Sequence, residues 1–406
     1  MERNGFWKSG HKPSLFSAFL YFDVSFMIWV LIGPLAVIMM NDYPMSAVQK
    51  ANLVALPVLG GSILRLLFGF LTDYIGPKRT AQFGMLASMV PLVWGWQFVD
   101  SLGELYVVAI LLGFAGASFA AALPLASRWY PPQYQGLAMG IAGAGNSGTV
   151  FSTLFANRLA QHYGGWEVVF GLALIPIVLV FLIFTFIAKE SPNQPAPKKM
   201  SEYANILKKR DTWIFCALYS VTFGGFVGMS NYLTIFFNEQ YGLSAVRAAD
   251  FTTVCVIAGS LFRPVGGFLS DKIGGIRMLM FLYAGAGIML ASVSSLPPLA
   301  VVIVLLFIGM MCLGAGNGSV FQLVPQRFAD EIGLITGIVG AAGGVGGYLL
   351  PLVLGSLYEA TGSYTPGFLI LSGIAFACLL MLLIVQGAWK RAWIGEGGKA
   401  KVEAAG

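Results

Sequence analysis

Apolar positions along this chain come in long unbroken runs, neither alternating nor confined to one helical face, and short polar stretches between the runs hold most of the charge. Twelve runs stand out, at about 14–38, 50–72, 81–99, 104–127, 135–157, 166–188, 212–237, 248–270, 276–296, 299–323, 333–356 and 366–388. A helix of about 20 apolar residues spans the roughly 30 Å hydrocarbon core of a bilayer, where backbone polar groups must be satisfied internally. The pattern therefore predicts an all-α polytopic membrane protein with twelve transmembrane helices. The first run follows a basic stretch, as a signal peptide would, but its length of about 25 residues exceeds an ordinary signal core. It is expected to stay as a helix of the mature protein.

Composition agrees with the pattern. Of the 406 residues, 57% are hydrophobic and 10% charged, against roughly 25% charged in a soluble domain. A soluble enzyme, a nucleic-acid binder and a disordered chain are excluded. Cys216, Cys255, Cys312 and Cys378 all lie in apolar runs, and His11 and His162 stand far apart. Neither a disulfide framework nor a metal site follows, and no cofactor is implied. With both termini placed in the cytoplasm, the inside segments hold 19 Lys and Arg, the outside segments 3 (Lys50, Arg158, Arg247), and the spans 2, which accounts for all 24. By the positive-inside rule both termini are expected to be cytoplasmic. The stretch 189–211 is long, polar and rich in Pro and Lys. It divides the chain into a six-span bundle at 1–188 and a second at 212–406, the latter ending in a cytoplasmic tail.

The two halves repeat. Arg65, Gly69, Leu71, Asp73 and Gly76 recur as Arg263, Gly267, Leu269, Asp271 and Gly274, each pair 198 residues apart. The same offset joins Gly116 to Gly314, Gly145 to Gly343 and Gly148 to Gly346. Six spans plus the linker make that interval, so the halves share one orientation, with a substrate path expected between them near the midplane. The loops GFLTDYIGPKR and GFLSDKIGGIR, with this spacing, resemble the signature of the major facilitator superfamily. The resemblance implies two six-helix bundles working by alternating access, with Asp73, Lys78, Arg79 and Asp271 as gating residues at the cytoplasmic face.

Three charges stand out inside the spans, away from their ends: Asp23, Arg65 and Arg263. A charge at membrane depth costs about 2.5–3.5 kcal/mol on insertion scales. Each Arg precedes its loop Asp by eight residues, about 12 Å along a helix, which puts both near the midplane on facing spans 2 and 8. Neither guanidinium can deprotonate, and Asp23 is the one acid away from the span ends. A transported anion can supply the missing charge; pairing with helix-end carbonyls or snorkelling is the bland alternative. A planar fork of donors suits a flat oxyanion such as nitrate, nitrite, formate or a carboxylate. Tyr219 and Phe223, one turn apart, and Phe119 are candidates to wall such a site, although aromatics in spans usually pack or face lipid.

GIAGAGNSG at 140–148 contains the letters of a dinucleotide fingerprint but has no preceding strand, so that reading fails. With GIVGAAGGVGG at 337–347 it reads first as close helix packing through small residues, and second as a place where spans 5 and 11 slide or bend. Asn146 and Asn317 each serve as a helix–helix hydrogen bond or as a ligand donor.

The segment 113–148, the glycine run of span 11 and the two arginines together resemble the nitrate/nitrite porter family of the NarK/NasA type. The resemblance implies transport of nitrate or nitrite, with Arg65 and Arg263 binding the anion. It implies that Asn146, Phe119 and the i, i+4 pair Tyr219 and Phe223 line the site, although Tyr232 and Phe236 repeat that spacing in the same span. Gly140, Gly143, Gly145, Gly148, Gly337, Gly340, Gly343 and Gly344 become signature hinges. Members of the family run nitrate/nitrite exchange or proton symport; Asp23 is the single proton-carrier candidate and equally a structural residue. The expected protein is not an enzyme but a secondary transporter of the cell (inner or plasma) membrane, with a small anion, possible protons and lipid as partners and a monomer sufficient. A formate or oxalate carrier is the alternative within the fold. A channel or sensor on the same scaffold would lack counterflow.

Overall fold

A computed structural model of the chain describes residues 6–192, 194, 200–328 and 332–399. Residues 193 and 195–199 of the expected linker and 400–406 of the tail lie outside the described residues. Seventeen α-helices run in order: α1 (Lys12–Trp29), α2 (Ile32–Asp42), α3 (Ala47–Ile75), α4 (Pro77–Gln97), α5 (Leu102–Leu111), α6 (Gly113–Gly116), α7 (Phe119–Ser127), α8 (Pro132–Gly143), α9 (Gly148–Tyr163), α10 (Trp166–Ile187), α11 (Met200–Leu207), α12 (Arg210–Tyr241), α13 (Ala245–Ile273), α14 (Gly275–Val293), α15 (Leu299–Arg327), α16 (Ile332–Thr361) and α17 (Thr365–Ala392). Among the described residues, ten stretches are long and apolar enough to cross a membrane. The other two expected runs are also helical. α4 dilutes its apolar residues with Gln, Gly, Ser and Trp, and the run near 135–157 is broken between α8 and α9 by a 3-10 turn at Ala144–Ser147.

Local sequence explains the ends. Ser46 caps α3 in a reciprocal box with Gln49, and Ser244 caps α13, each satisfying N–H groups left over in a first turn. The repeated loop glycines Gly76 (φ 90°) and Gly274 (φ 99°) stop α3 and α13 and start α4 and α14. Only a residue without Cβ takes that backbone freely, so both copies of the loop turn on the same device.

The bundle is apolar outside as well as inside. Phe186, Leu179 and Ile175 of α10 and Ile384 and Leu380 of α17 are exposed, the pattern of helices solvated by lipid. Inside, helices meet through glycine rather than large side chains. Gly60 of α3 faces Gly113 of α6, Gly259 of α13 faces Gly314 of α15, and Gly224 of α12 lies against Gly346 and Gly347 of α16. The repeat is not carried into identical helices. The run at 104–127 is split into α5, α6 and α7 and that near 135–157 into α8 and α9, whereas their counterparts α15 and α16 are continuous.

Candidate functional site

Arg65, in the interior of α3, is 1% exposed and is the one charged side chain among the described residues that is fully buried. Its place depends on the split in the fourth run. In an unbroken helix Ala120 N–H would donate to Gly116 O; here it donates to Ala117 O at 3.0 Å. The Gly116 carbonyl takes Arg65 Nε instead, at 3.0 Å. Arg65 Nη1 donates across to Gly340 O of α16 at 2.8 Å. Nη2 is buried and has no partner. Three rings surround the guanidinium, with centroids 5.0 Å (Trp29), 5.4 Å (Phe119) and 4.9 Å (Phe223) from Cζ, each such contact contributing about 0.5–2 kcal/mol.

Arg263 of α13 is only partly buried, and its Cζ lies 5.9 Å from the centroid of the same Phe119 ring. Its Nη1 is likewise buried without a partner. Phe119 therefore sits between the two arginines, and among the described residues neither is paired with a carboxylate. Tyr219 and Phe223 stack at 5.0 Å with planes 6° apart. The Tyr219 hydroxyl lies within electrostatic reach of both guanidinia and makes no hydrogen bond of good geometry. Tyr232 and Phe236, the alternative pair, pack instead against Tyr364. Two site residues were invisible in the sequence. Trp29 donates to Pro57 O at 2.6 Å and lies in a slot left by Gly61 and Gly116. Phe321 of α15 touches Phe119 (6.0 Å) and Tyr219 (5.0 Å). Both are aromatics among apolar neighbours, and only their partners distinguish them.

The signature glycines divide into three groups. Gly145 and Gly148 press on the α1 backbone at Asp23. Gly340 faces Phe119 and Arg65, Gly343 lies under Tyr219 and Phe223, Gly344 meets Ser62, and Gly143 is near Arg263 Nη2. Gly140 and Gly337 have open space beside them. Asn146 is buried in the 3-10 turn; with the amide oriented to satisfy both its atoms, its nitrogen donates to Gly143 O and Ala144 O of the same stretch, both at 3.3 Å.

Asp23 accepts from Ser147 Oγ at 2.7 Å and is held at the start of α9, where the partial positive charge of a helix N-terminus favours an anion. It forms no ion pair with either arginine. Of the loop residues, Asp73 pairs with Arg128 at 2.8 Å, and Lys78 Nζ donates to Thr185 O at 2.9 Å. Arg79 and Asp271 are exposed, and among the described residues neither has an ion-pair partner. At the opposite end, residues from before 188 and after 210 are tied together. Lys50 pairs with Glu239 (2.6 Å) and Arg158 with Asp250 (2.7 Å), Val48 N donates to Glu359 (2.8 Å), and Thr253 bonds Thr153 (2.9 Å). At the end of Asp73 and Asp271 the described ion pairs stay local: Arg128 with Asp73, Arg327 with Asp211, and Arg277 with Glu396.

Lipid-facing helices around an interior that holds two arginines and a wall of aromatics, with polar ties between the halves at one end among the described residues, make the architecture of a membrane carrier. The family model described as Major Facilitator Superfamily matches residues 16–347, and the chain belongs to that superfamily; it is a transporter, not an enzyme. The chain is 33% identical to a "Nitrite extrusion protein" of Bacillus subtilis, over 88% of this chain and 90% of that one. It is 35% identical to a "Probable nitrate/nitrite transporter NarK2" of Mycobacterium tuberculosis, over 87% and 92%. It is 28% identical to a "Probable nitrate/nitrite antiporter NarK1" of Thermus thermophilus, over 91% and 88%. Among solved structures, a bacterial homolog of the human lysosomal transporter Spinster, in an inward-facing and occupied conformation, aligns with a TM-score of 0.67 at 16% identity, over 94% of this chain and 98% of that chain.

Proposed function

We propose that this protein carries nitrate and nitrite across the cell membrane by alternating access, the anion lying between Arg65 and Arg263 beside Phe119, Tyr219 and Phe223. One observation carries the reading: two guanidinia that no described carboxylate neutralises share one ring and each keep a buried N–H group without a partner. The names of the relatives support the choice of anion. Two halves, 1–188 and 212–406, rock about the 189–211 linker, with both termini cytoplasmic, as the 19 inside cations against 3 outside support. The tied end is then the outside face and the conformation inward-facing. A monomer contains the whole site.

Exchange is the favoured coupling. Asp23 is occupied by Ser147 rather than by an arginine, so the positive pair needs an anion on board for each crossing. The test is counterflow in proteoliposomes loaded with nitrite and given external nitrate, with and without a proton gradient. Gradient-independent exchange, kept within about twofold in Asp23→Asn, is the expected result. Net nitrate uptake that requires protons and is lost in Asp23→Asn would replace exchange with symport. Movement of formate or oxalate in place of either anion would move the substrate to a small carboxylate.

Glu239→Gln provides a second check. Removing a half-buried ion pair that contributes about 1 kcal/mol shifts the balance toward the outward-open form. In a Thr153→Cys background, labelling by an impermeant maleimide added outside should rise about fivefold. Unchanged labelling would remove the Lys50–Glu239 pair from the gate.

A further inference from the structure

Asn317 is fully buried on α15, and neither its amide nitrogen nor its oxygen has a partner. The helix–helix bond that would explain a buried amide is therefore absent among the described residues, and a carboxamide stripped of water and left without a partner is costly. Its position is fixed by its neighbours along the helix. One turn on, Phe321 touches Phe119 and Tyr219. One turn back, Leu313 lies against Gly225 of α12. The adjacent Gly316 meets Thr222, and Gly318 meets the Arg263 backbone. The 198-residue repeat gives the same answer, since Asn317 is the counterpart of Phe119, the ring shared by the two arginines.

We propose that Asn317 is a specificity-determining contact of the anion site, donating its amide N–H to the oxygen that nitrate has and nitrite lacks. The inference rests on the two-arginine reading above. Arg65 Nη2 and Arg263 Nη1 are open donors that can each take an anion oxygen; a third oxygen presents one more acceptor, and Asn317 is the uncommitted amide one turn from Phe321 on α15.

The test is counterflow kinetics of purified protein with nitrate and with nitrite, for wild type, Asn317→Leu (the same branched heavy-atom count without polar atoms), Asn317→Ser and Arg65→Lys. Loss of a hydrogen bond to an anion should raise the nitrate KM about tenfold in Asn317→Leu and the nitrite KM less than about threefold, with kcat moved less than KM. Asn317→Ser keeps a donor and should lie between. If Asn317→Leu does not fold, Asn317→Ser and Asn317→Ala carry the same comparison. Wild-type KM for both anions, or an equal rise for both, overturns the assignment. Arg65→Lys separates the two levels. A dead Arg65→Lys with a normal Asn317→Leu removes Asn317 alone, whereas wild-type transport by Arg65→Lys removes the arginine site on which it rests.

Discussion

Arg65→Lys should lower nitrate counterflow about 100-fold while the purified protein still folds and unfolds cooperatively. The guanidinium works through three separate nitrogens: Nε on Gly116 O, Nη1 on Gly340 O and Nη2 left open. It also lies over the faces of Trp29, Phe119 and Phe223. An ammonium keeps the charge but has one donor centre on a flexible stem. It can satisfy the carbonyls or the anion, not both in one geometry, and it stacks less well on aromatic faces. Losing a charge-assisted contact of about 1.5–3 kcal/mol and its fork geometry together reaches the expected loss. Counterflow per folded protein is the measurement, and a normal rate would end the two-arginine reading. Arg263→Lys should act in the same direction.

The second large effect is expected at Gly148. A methyl group there would fall on the Asp23 carbonyl, 2.8 Å from its carbon and 2.9 Å from Met27 N. These are backbone atoms of α1 and cannot rotate aside. Gly148→Ala must push α1 away, cost about 2–3 kcal/mol of overpacking and break the Ser147–Asp23 bond. Thermal unfolding in detergent should show a clear loss, and transport should stop. Gly140→Ala is the control. Among the described residues beyond its own helix turn, nothing lies within 4 Å of a methyl group there, and alanine suits a helix better than glycine, so stability should hold or rise. Equal behaviour of the two variants would show that the run at 140–148 acts as one hinge rather than as separate packing positions.

That contrast also marks what the sequence can tell. Run length and the 198-residue repeat made the helices legible, because hydrocarbon tolerates few alternatives to an apolar helix. Arg65 and Arg263 were legible because a cation in such a run has to be explained. Trp29 and Phe321 were not, since one more aromatic in an apolar helix carries no signal until its neighbours are known. The breaks were hidden for a related reason. Gly314, Gly316 and Gly318 are as dense as Gly113 and Gly116, yet α15 runs straight through them. Glycine content alone therefore does not decide which helix stays whole. Asp23 was legible as an in-span acid, but its hold on Ser147 belongs to tertiary structure alone.

The ties at the closed end have one more consequence. They are two partly exposed ion pairs, each contributing about 0–1 kcal/mol, and short polar bonds. Under the carrier reading, so small a sum keeps the opposite conformation within reach of ordinary thermal fluctuation. Under the carrier reading, each reversal needs no fuel beyond the anion gradient itself, and added salt, by screening the rim pairs, would speed the departure from this state.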